Sequence, residues 1–291
     1  MDTPETLAEE VSSLFSLPDL VVRACAVMDN PSSTDQDLIE VIELDANLVA
    51  TCLRLTNSAI FAGRGQVETL TRAVILLGHR ALKDLVLATA AVNAFRDIPE
   101  EFVDMRTFWE NSTAAAVLAR LMAVRLRLRE SEGLFLAGLL HGVGRLVLYV
   151  RRPALYREAL SLMRDECLPL EVAEARVFGF SHAAVGAALM DEWDLPERLM
   201  LPVEYQLDPE EAPAYTREVS VVHLAVRMSC SLAPCLKTHQ ELQTFQPDER
   251  ARRCMDLLQL NLADLGEIGL EALAVSQEVI DIIQPATRVR Y

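Results

Sequence analysis

The sequence predicts an all-α fold, on three observations. Apolar residues recur at spacings of three and four through most of the chain, which is the period of a helix with one buried face. Asp, Ser and Thr, the usual N-cap residues, precede several of these segments. No segment sustains the apolar and polar alternation of a half-buried strand. The 291-residue chain is 51% hydrophobic, so it can bury a large core.

The first part of the chain predicts short helices with recognisable ends. Residues 5 to 16 form an acidic helical segment, and a second segment covers residues 21 to 27. Asp29-Asn30-Pro31 ends the second one, because proline cannot continue a helix. Ser33 stands three residues before Gln36, which is the spacing of a capping box at the start of the next helix.

Further caps divide the rest of this N-terminal group. We expect Asp45 and Thr69 each to cap the start of a helix. Gly78 is expected to end the helix that Thr69 begins. Another helix runs from about residue 81 to residue 95. A proline-marked boundary is expected at residues 97 to 104, before the central group of helices begins.

The stretch from Glu132 to Tyr149 predicts one long central helix around which the fold is organised. A second face of this helix carries small residues beside His141, with Arg145 one turn further on. Glycine inside a helix costs about 1 kcal/mol relative to alanine, so this face indicates a close backbone approach or a space for a ligand. The apolar face consists of Phe135, Leu136, Leu139, Leu140, Val143 and Val147, and the small residues are Ala137, Gly138 and Gly144.

The remaining segments are also helical, and we divide the chain into three parts. Residues 1–100 are expected to form an N-terminal helical lobe, residues 101–236 a second lobe, and residues 237–291 a C-terminal helical extension. Four arginines near the end of the first long helix of the second lobe are interpreted as a solvated face, because residues two apart point to different sides of a helix. They are Arg120, Arg125, Arg127 and Arg129.

Charge and composition exclude several classes of function. The 27 basic and 43 acidic residues give a net charge of −16, which repels nucleic acid, so we expect no nucleic-acid partner. No uninterrupted apolar run reaches the length of a membrane span, and the acidic N-terminus does not resemble a signal peptide. A cytoplasmic protein that does not bind membranes is therefore expected.

The six cysteines are scattered within apolar helical patterns, as buried reduced thiols are. Cys230, Cys235 and His239 are the only group that suggests zinc. Their spacing fits no common zinc pattern, and Cys254 is the only nearby sulfur that could complete a site. Ordinary packing is the preferred interpretation.

Three groups of residues carry a resemblance to a known family. They are Leu53-Arg-Leu-Thr-Asn-Ser-Ala59 with Ala73-Val-Ile-Leu-Leu-Gly78, then Leu136-Ala-Gly-Leu-Leu-His141, and then Phe178-Gly-Phe-Ser-His182 with Val185-Gly186 and Trp193-Asp-Leu-Pro196. From about residue 17 to residue 206 the chain resembles the HDOD family, the regulatory branch of the HD phosphohydrolase superfamily. The resemblance implies a multi-helix HD-like bundle in two packed lobes.

The same resemblance raises the hypothesis of a metal-dependent enzyme. Catalytic members of the superfamily hold one or two metal ions with a His, an adjacent His-Asp pair and a distal Asp. At these positions the present chain has Asn111, the pair His141 and Gly142, and Val226. A divalent metal needs several converging imidazole or anionic ligands, and one histidine cannot hold it. We therefore expect no cofactor and no hydrolytic activity.

The leading hypothesis is a non-catalytic signal-transduction or regulatory module that binds a protein partner, in some cases after sensing a small ligand. One alternative is a phosphohydrolase that uses substitute ligands at His182, Glu110 or His223. Another is a nucleotide or second-messenger binding protein in which arginine reaches phosphate. Its candidate arginines are Arg145, Arg151 and Arg152.

Five residues are candidates for a ligand or partner pocket: His141, Arg145, His182, Asn57 and Ser58. Each also has a structural interpretation. His141 can be a hydrogen-bonded core histidine, since buried polar groups are usually satisfied. His182 follows Ser181 at an expected helix start, and Asn57 with Ser58 suits a helix C-terminus.

Overall fold

A computed structural model describes residues 2–12, 18–30, 32–61, 66–95, 98, 103–129, 131–238 and 245–283. Every regular element within these ranges is a helix, so the predicted all-α fold is confirmed. The expected boundary at residues 97 to 104 falls largely outside the described residues.

Capping residues set the starts of the N-terminal helices. Thr34 and Asp37 form the capping box predicted one residue earlier at Ser33, while Asp45 and Thr69 cap their helices as expected. Gly78 separates two helices with a φ of 90°, a conformation that glycine adopts readily. These helices are α1 (Pro4–Ser12), α2 (Asp19–Asp29), α3 (Asp35–Ile42), α4 (Ala46–Asn57), α5 (Leu70–Leu77) and α6 (His79–Ala94).

The second group of helices begins with a long one at the centre of the molecule. This group consists of α7 (Met105–Arg125), α8 (Ser131–Leu140), α9 (Val143–Arg151), α10 (Pro153–Asp165), α11 (Leu170–Phe178), α12 (His182–Glu192) and α13 (Glu197–Glu204). A 3-10 turn at Pro209–Glu211 leads to α14 (Thr216–Thr238), α15 (Glu249–Leu258) and α16 (Leu262–Ile283).

The expectation of one helix from Glu132 to Tyr149 was wrong, because the chain turns at His141 and Gly142. Gly142 has φ −102° and ψ 0°, and its carbonyl accepts the amide of Arg145 to start α9. His141 therefore lies at a helix junction rather than within a helix.

One continuous core joins both groups of helices. The long helix α7 packs against α8, α14 and α16, and α6 packs against α4 and α5 on one side and α8 on the other. The ring of Phe95, just after α6, lies 6.3 Å from that of Trp109 and 5.9 Å from that of Trp193. The two lobes are thus fused by apolar packing.

Helices near both ends of the chain contact the helices of the expected second lobe. Helix α1 packs on α9 and α12 of the second lobe, because Leu7, Ala8 and Val11 form a stripe that is fully buried there. At the other end, α16 packs on α7, α14 and α4. Its acidic residue Glu278 accepts the amide of Ala59 at 3.0 Å, so the described part of the extension touches both lobes.

One stretch of the described residues, Ser131–Arg151, is long and apolar enough to cross a membrane. Within its most apolar window, 83% of the residues are buried inside the protein. Burial in the core accounts for this composition, since core helices can be as apolar as membrane spans. The cytoplasmic location stays a prediction.

Candidate functional site

The four positions that would hold a metal in catalytic relatives carry other contacts here. Asn111 donates its side-chain amide to the carbonyl of Thr107 at 3.0 Å. The Nδ1 atom of His141 lies 2.8 Å from the carbonyl of Gly138, so this nitrogen carries the proton. Val226 supplies only an apolar side chain on α14. Among these four positions only His141 carries an imidazole or an anionic side chain, and the absence of a metal from them stays a prediction.

Gly142 lies beside a buried aromatic ring. A Cβ atom placed on Gly142 would lie 3.2 Å from Cε2 and 3.5 Å from Cζ of Phe108. The ring of Phe108 is buried and packs edge-on against Trp109, with ring centroids 5.0 Å apart. A side chain at position 142 would therefore be in tight contact with this ring, which would have to shift by a few tenths of an ångström.

The backbone around His141 is held by a second buried polar side chain. Gln206 donates its side-chain amide to the carbonyl of His141 at 2.8 Å and to that of Val203 at 2.8 Å. The carbonyl of Gln206 in turn lies 2.7 Å from Nδ1 of His223. This chain of hydrogen bonds ties the α8–α9 turn to the end of α13 and to α14.

The small residues around His141 serve close helix packing. A Cβ atom on Gly138 would lie 2.8 Å from the carbonyl oxygen of Ala115, and one on Gly144 would lie 2.0 Å from that of His182. Glycine is required at both positions because neighbouring backbone occupies the space. The open space suggested by the sequence beside His141 is therefore taken by α7 and α12 at these two points.

A buried ionic cluster forms where α9, α10, α11 and α12 meet. The carboxylate of Glu174 accepts three hydrogen bonds, from the His182 amide at 2.9 Å, His182 Nδ1 at 2.7 Å and the Tyr156 hydroxyl at 3.2 Å. Nε2 of His182 lies 3.3 Å from Nη2 of Arg145. Since a neutral imidazole donates from one nitrogen and accepts at the other, His182 links the carboxylate to the guanidinium.

The pKa values in this region agree with that assignment. Burial and the nearby Arg145 lower the pKa of His141 to about 3 and also lower the pKa of His182. Burial opposes ionisation of Glu174, but the hydrogen bonds and charge supplied by His182 and Arg145 still lower its pKa. At neutral pH both histidines are therefore uncharged and Glu174 is ionised.

The structure brings together three of the five candidate pocket residues. His141, Arg145 and His182 lie in one region, whereas Asn57 and Ser58 lie at the end of α4. Asn57 exchanges two hydrogen bonds with the backbone of Val67, at 2.7 and 2.8 Å. Ser58 donates to the carbonyl of Leu55 at 2.6 Å. These contacts fit the structural interpretation of a helix terminus, and a ligand-binding role for the five residues stays a prediction.

The residues considered for the alternative functions also form hydrogen bonds or ion pairs within the protein. Glu110 accepts from Arg106 at 2.9 Å, and Arg151 and Arg152 both bind Glu10 of α1. Within the described residues, no three His, Cys, Asp or Glu side chains are grouped so that they could hold a metal ion. The side chains of Cys235 and His239 lie outside the described residues, so the zinc interpretation there is untested.

Sequence reasoning missed Glu174 and Tyr156. A signal for Glu174 was present, because it follows Leu170 by four residues and precedes Val177 by three on the apolar face of α11. A carboxylate on such a face must be paired when it is buried. Its partner Tyr156 is eighteen residues away, which no local pattern can indicate.

A cleft lies between the two lobes. It has a volume of about 530 Å³ and is bordered by the end of α4, by α5, α7 and the start of α8, and by α16. Arg120 of α7 reaches across this boundary, where it contacts the carbonyl of Ile60, lies 4.2 Å from the Phe61 ring centroid and 3.4 Å from Glu132. Arg120 is therefore a lobe contact rather than part of a solvated face.

The helix order and the site positions define an HD-like helical domain. The HDOD domain family model matches residues 14–209, more than half of the chain, so the chain belongs to the HDOD domain family. A curated relative is an uncharacterized protein from Treponema pallidum (strain Nichols), 23% identical over 265 residues. That match covers 87% of this chain and 50% of the relative, so the chain spans about half of the relative's length.

Similar solved structures confirm the fold. A candidate phosphohydrolase from Shewanella amazonensis SB2B is 25% identical with a TM-score of 0.73, covering 96% of this chain and 98% of that one. An HDOD domain protein of unknown function from Geobacter sulfurreducens is 25% identical with a TM-score of 0.68. The match covers 94% of this chain and 97% of that one. A candidate signal transduction protein from Marinobacter aquaeolei VT8 is 22% identical with a TM-score of 0.64. The match covers 97% of this chain and 66% of that one.

Proposed function

We propose that this chain is a non-catalytic signal-transduction module that acts by binding another protein through surface contributed by both lobes. The observation that carries the proposal is the residue set at the four positions, where His141 is accompanied by Asn111, Gly142 and Val226. Gly142 has no side chain where catalytic relatives have a carboxylate ligand, and the ring of Phe108 lies 3.2 Å from the place of its Cβ atom. The HD-like framework is thus proposed to be retained without the ligand set that a metal needs.

The side chains at the other three positions of the expected metal site also support a non-catalytic function. Lewis-acid hydrolysis needs a metal that several protein ligands hold while one coordination position stays open to water. His141 is the only imidazole at the four positions, and its Nδ1–H is bonded to Gly138. The amide of Asn111 and the side chain of Val226 add no anionic ligand. The phosphohydrolase names of some relatives therefore do not extend to this chain in our proposal.

Polar contacts join the lobes and give the module a means of responding as a unit. Asp84 of α6 is buried and pairs with Arg198 of α13 at 2.9 Å. Arg120 binds the Ile60 carbonyl from the other lobe. A partner that binds one lobe arrangement better than another shifts the population toward it, whereas equal affinity shifts nothing. A module that catalyses no reaction can transmit a signal only if its partner has different affinities for the two lobe arrangements.

The cleft between the lobes is the proposed partner surface. Val124 on α7 is 51% exposed at its border, and Leu76 of α5 borders it from the other lobe. Apolar side chains that remain accessible beside a cleft are typical of protein-binding surfaces. A partner that spans the cleft would contact both lobes at once.

The test starts by identifying proteins that the full chain captures from its native cell, followed by titration of the purified partner. Val124→Asp and Leu76→Asp are each expected to weaken binding about tenfold or more, since each places a charge at the interface. Leu257→Asp is the matched control, because Leu257 is also 51% exposed but lies on α15, away from the cleft. Unchanged affinity in both cleft variants would contradict the proposed surface.

A further inference from the structure

A second cleft, of about 390 Å³, is rich in arginine. It lies where the chain leaves α7, beside the start of α8 and just before α14. Its volume falls within the range of about 300 to 1,000 Å³ that is usual for small-molecule sites. The residues that line it are Arg127, Leu128, Arg129, Gly133, Leu134, Arg198, Tyr215, Arg217 and Glu218.

Three of these arginines are available to a ligand. Among the described residues, Arg127, Arg129 and Arg217 are all exposed and take part in no ion pair. Several other arginines of this acidic protein are neutralised, as Arg125 is by Asp264 and Glu267. A concentration of unneutralised positive charge in a concave site raises the local concentration of anions. The surface around this cleft therefore favours an anionic ligand although the net charge is −16.

Two lining residues adopt an unusual backbone conformation. Arg127 has φ 54° and Tyr215 has φ 55°, in the left-handed region that favours glycine. Arg127 stands just after α7, where its amide and that of Leu128 bond back to Val124 and Ala123. Glycine is the usual residue at such a helix end. A non-glycine residue at this position costs some stability locally, and the turn brings the side chain of Arg127 to the border of the cleft.

The cleft also contains a flat aromatic surface and a carboxylate. Tyr215 is 40% exposed, so its ring can stack against a planar group. Glu218 is half-buried in the cleft and forms no ion pair with the neighbouring arginines among the described contacts. A carboxylate in such a place can accept hydrogen bonds from an amino group.

We infer that this cleft binds a nucleoside phosphate. The guanidinium groups of Arg127, Arg129 and Arg217 present paired N–H donors that match phosphate oxygens. The ring of Tyr215 stacks on the base, and Glu218 accepts hydrogen bonds from an amino-bearing edge of that base. This assignment is independent of the proposed protein-binding function and uses different arginines from Arg151 and Arg152, which Asp2 and Glu10 neutralise.

The position of Arg198 connects the cleft to the lobe contact. Arg198 lines the cleft while two of its nitrogens lie 2.9 and 3.2 Å from Asp84 of α6. A phosphate in the cleft adds negative charge beside this guanidinium and competes with Asp84 for it. Ligand binding is thus expected to loosen a polar contact between the two lobes.

The test is a calorimetric titration of the full-length protein at low salt with ATP, GTP and inorganic pyrophosphate. We expect saturable binding of at least one of the two nucleotides. The double variant Arg129→Gln/Arg217→Gln should weaken it about tenfold or more, because charge-assisted hydrogen bonds are lost. Tyr215→Ala should weaken nucleotide binding but not pyrophosphate binding. The matched control is Arg252→Gln, which removes the same charge from an exposed, unpaired arginine outside the cleft and should leave affinity unchanged.

Several results would overturn the inference. One is the absence of saturable binding for both nucleotides, even if a phosphoserine peptide binds. Another is an equal loss of affinity in the double variant and in Arg252→Gln, which would indicate a general charge effect. A third is pyrophosphate binding as tight as nucleotide binding together with no effect of Tyr215→Ala. Unchanged thermal midpoints in all variants would show that each is folded.

Discussion

The Nδ1 atom of His182 lies 2.7 Å from a carboxylate oxygen of Glu174, and both side chains are almost completely buried. The same carboxylate accepts the backbone amide of His182, so Glu174 also caps the start of α12. One side chain therefore satisfies a helix terminus and a buried histidine together. Arg145, on the other side of His182, compensates the negative charge.

This arrangement predicts that the free energy of unfolding falls on acidification. The lowered pKa values of His141 and His182 keep both neutral in the folded protein, while the unfolded chain takes up protons below about pH 6.5. Stability is therefore lost as pH falls below that value, by up to about 1.4 kcal/mol per pH unit for each proton. Glu174, with a lowered pKa, adds a loss of the same sign below about pH 4.5.

Urea unfolding of the native protein and of His141→Gln at several pH values would measure this effect. Glutamine cannot take up a proton, so the variant should lose less stability than the native protein between about pH 6 and pH 4. Circular dichroism at each pH before urea is added provides the control for folding. Parallel pH profiles for the two proteins would show that His141 is not kept neutral by the fold.

A substitution at Gly144 tests the close approach of α9 and α12. Gly144→Ala would place a Cβ atom 2.0 Å from the His182 carbonyl oxygen, so we expect a loss of about 1 to 3 kcal/mol or more. Gly266→Ala is the matched control, since a Cβ there meets nothing within 4 Å. This exposed helix position should instead gain about 0.5 to 1 kcal/mol. Thermal unfolding that shows equal effects for the two variants would contradict the packing.

Local chemistry explains why parts of this fold could be predicted from the sequence. Asp45 and Thr69 cap helices whose first amides are only two or three residues away, so the signal and its consequence are adjacent. The resemblance extended these local predictions to a whole HD-like bundle. The family assignment was then confirmed over residues 14–209.

The errors arose where distant segments meet. Gly138 and Gly144 were interpreted as leaving space, but the backbones that fill that space belong to α7 and α12. Likewise, the arginine clusters could not be resolved by spacing alone. Arg120 reaches Ile60, sixty residues away, whereas Arg127 and Arg129 line a cleft with Arg217 of α14. Which arginines are paired depends on tertiary packing that local periodicity does not contain.

Metal chemistry at the HD-like site is tested by measuring metal content together with hydrolysis. The protein and the variant His141→Ala would each be incubated with Mn²⁺, Fe²⁺ or Zn²⁺ and then freed of excess metal. Mass spectrometry would measure the metal that stays bound, and hydrolysis would be assayed on phosphodiesters and nucleotides. We predict no stoichiometric metal and the same background rate for both proteins, because among the four site positions only His141 carries an imidazole or an anionic side chain. About one metal ion per chain, with hydrolysis that His141→Ala abolishes, would contradict the account.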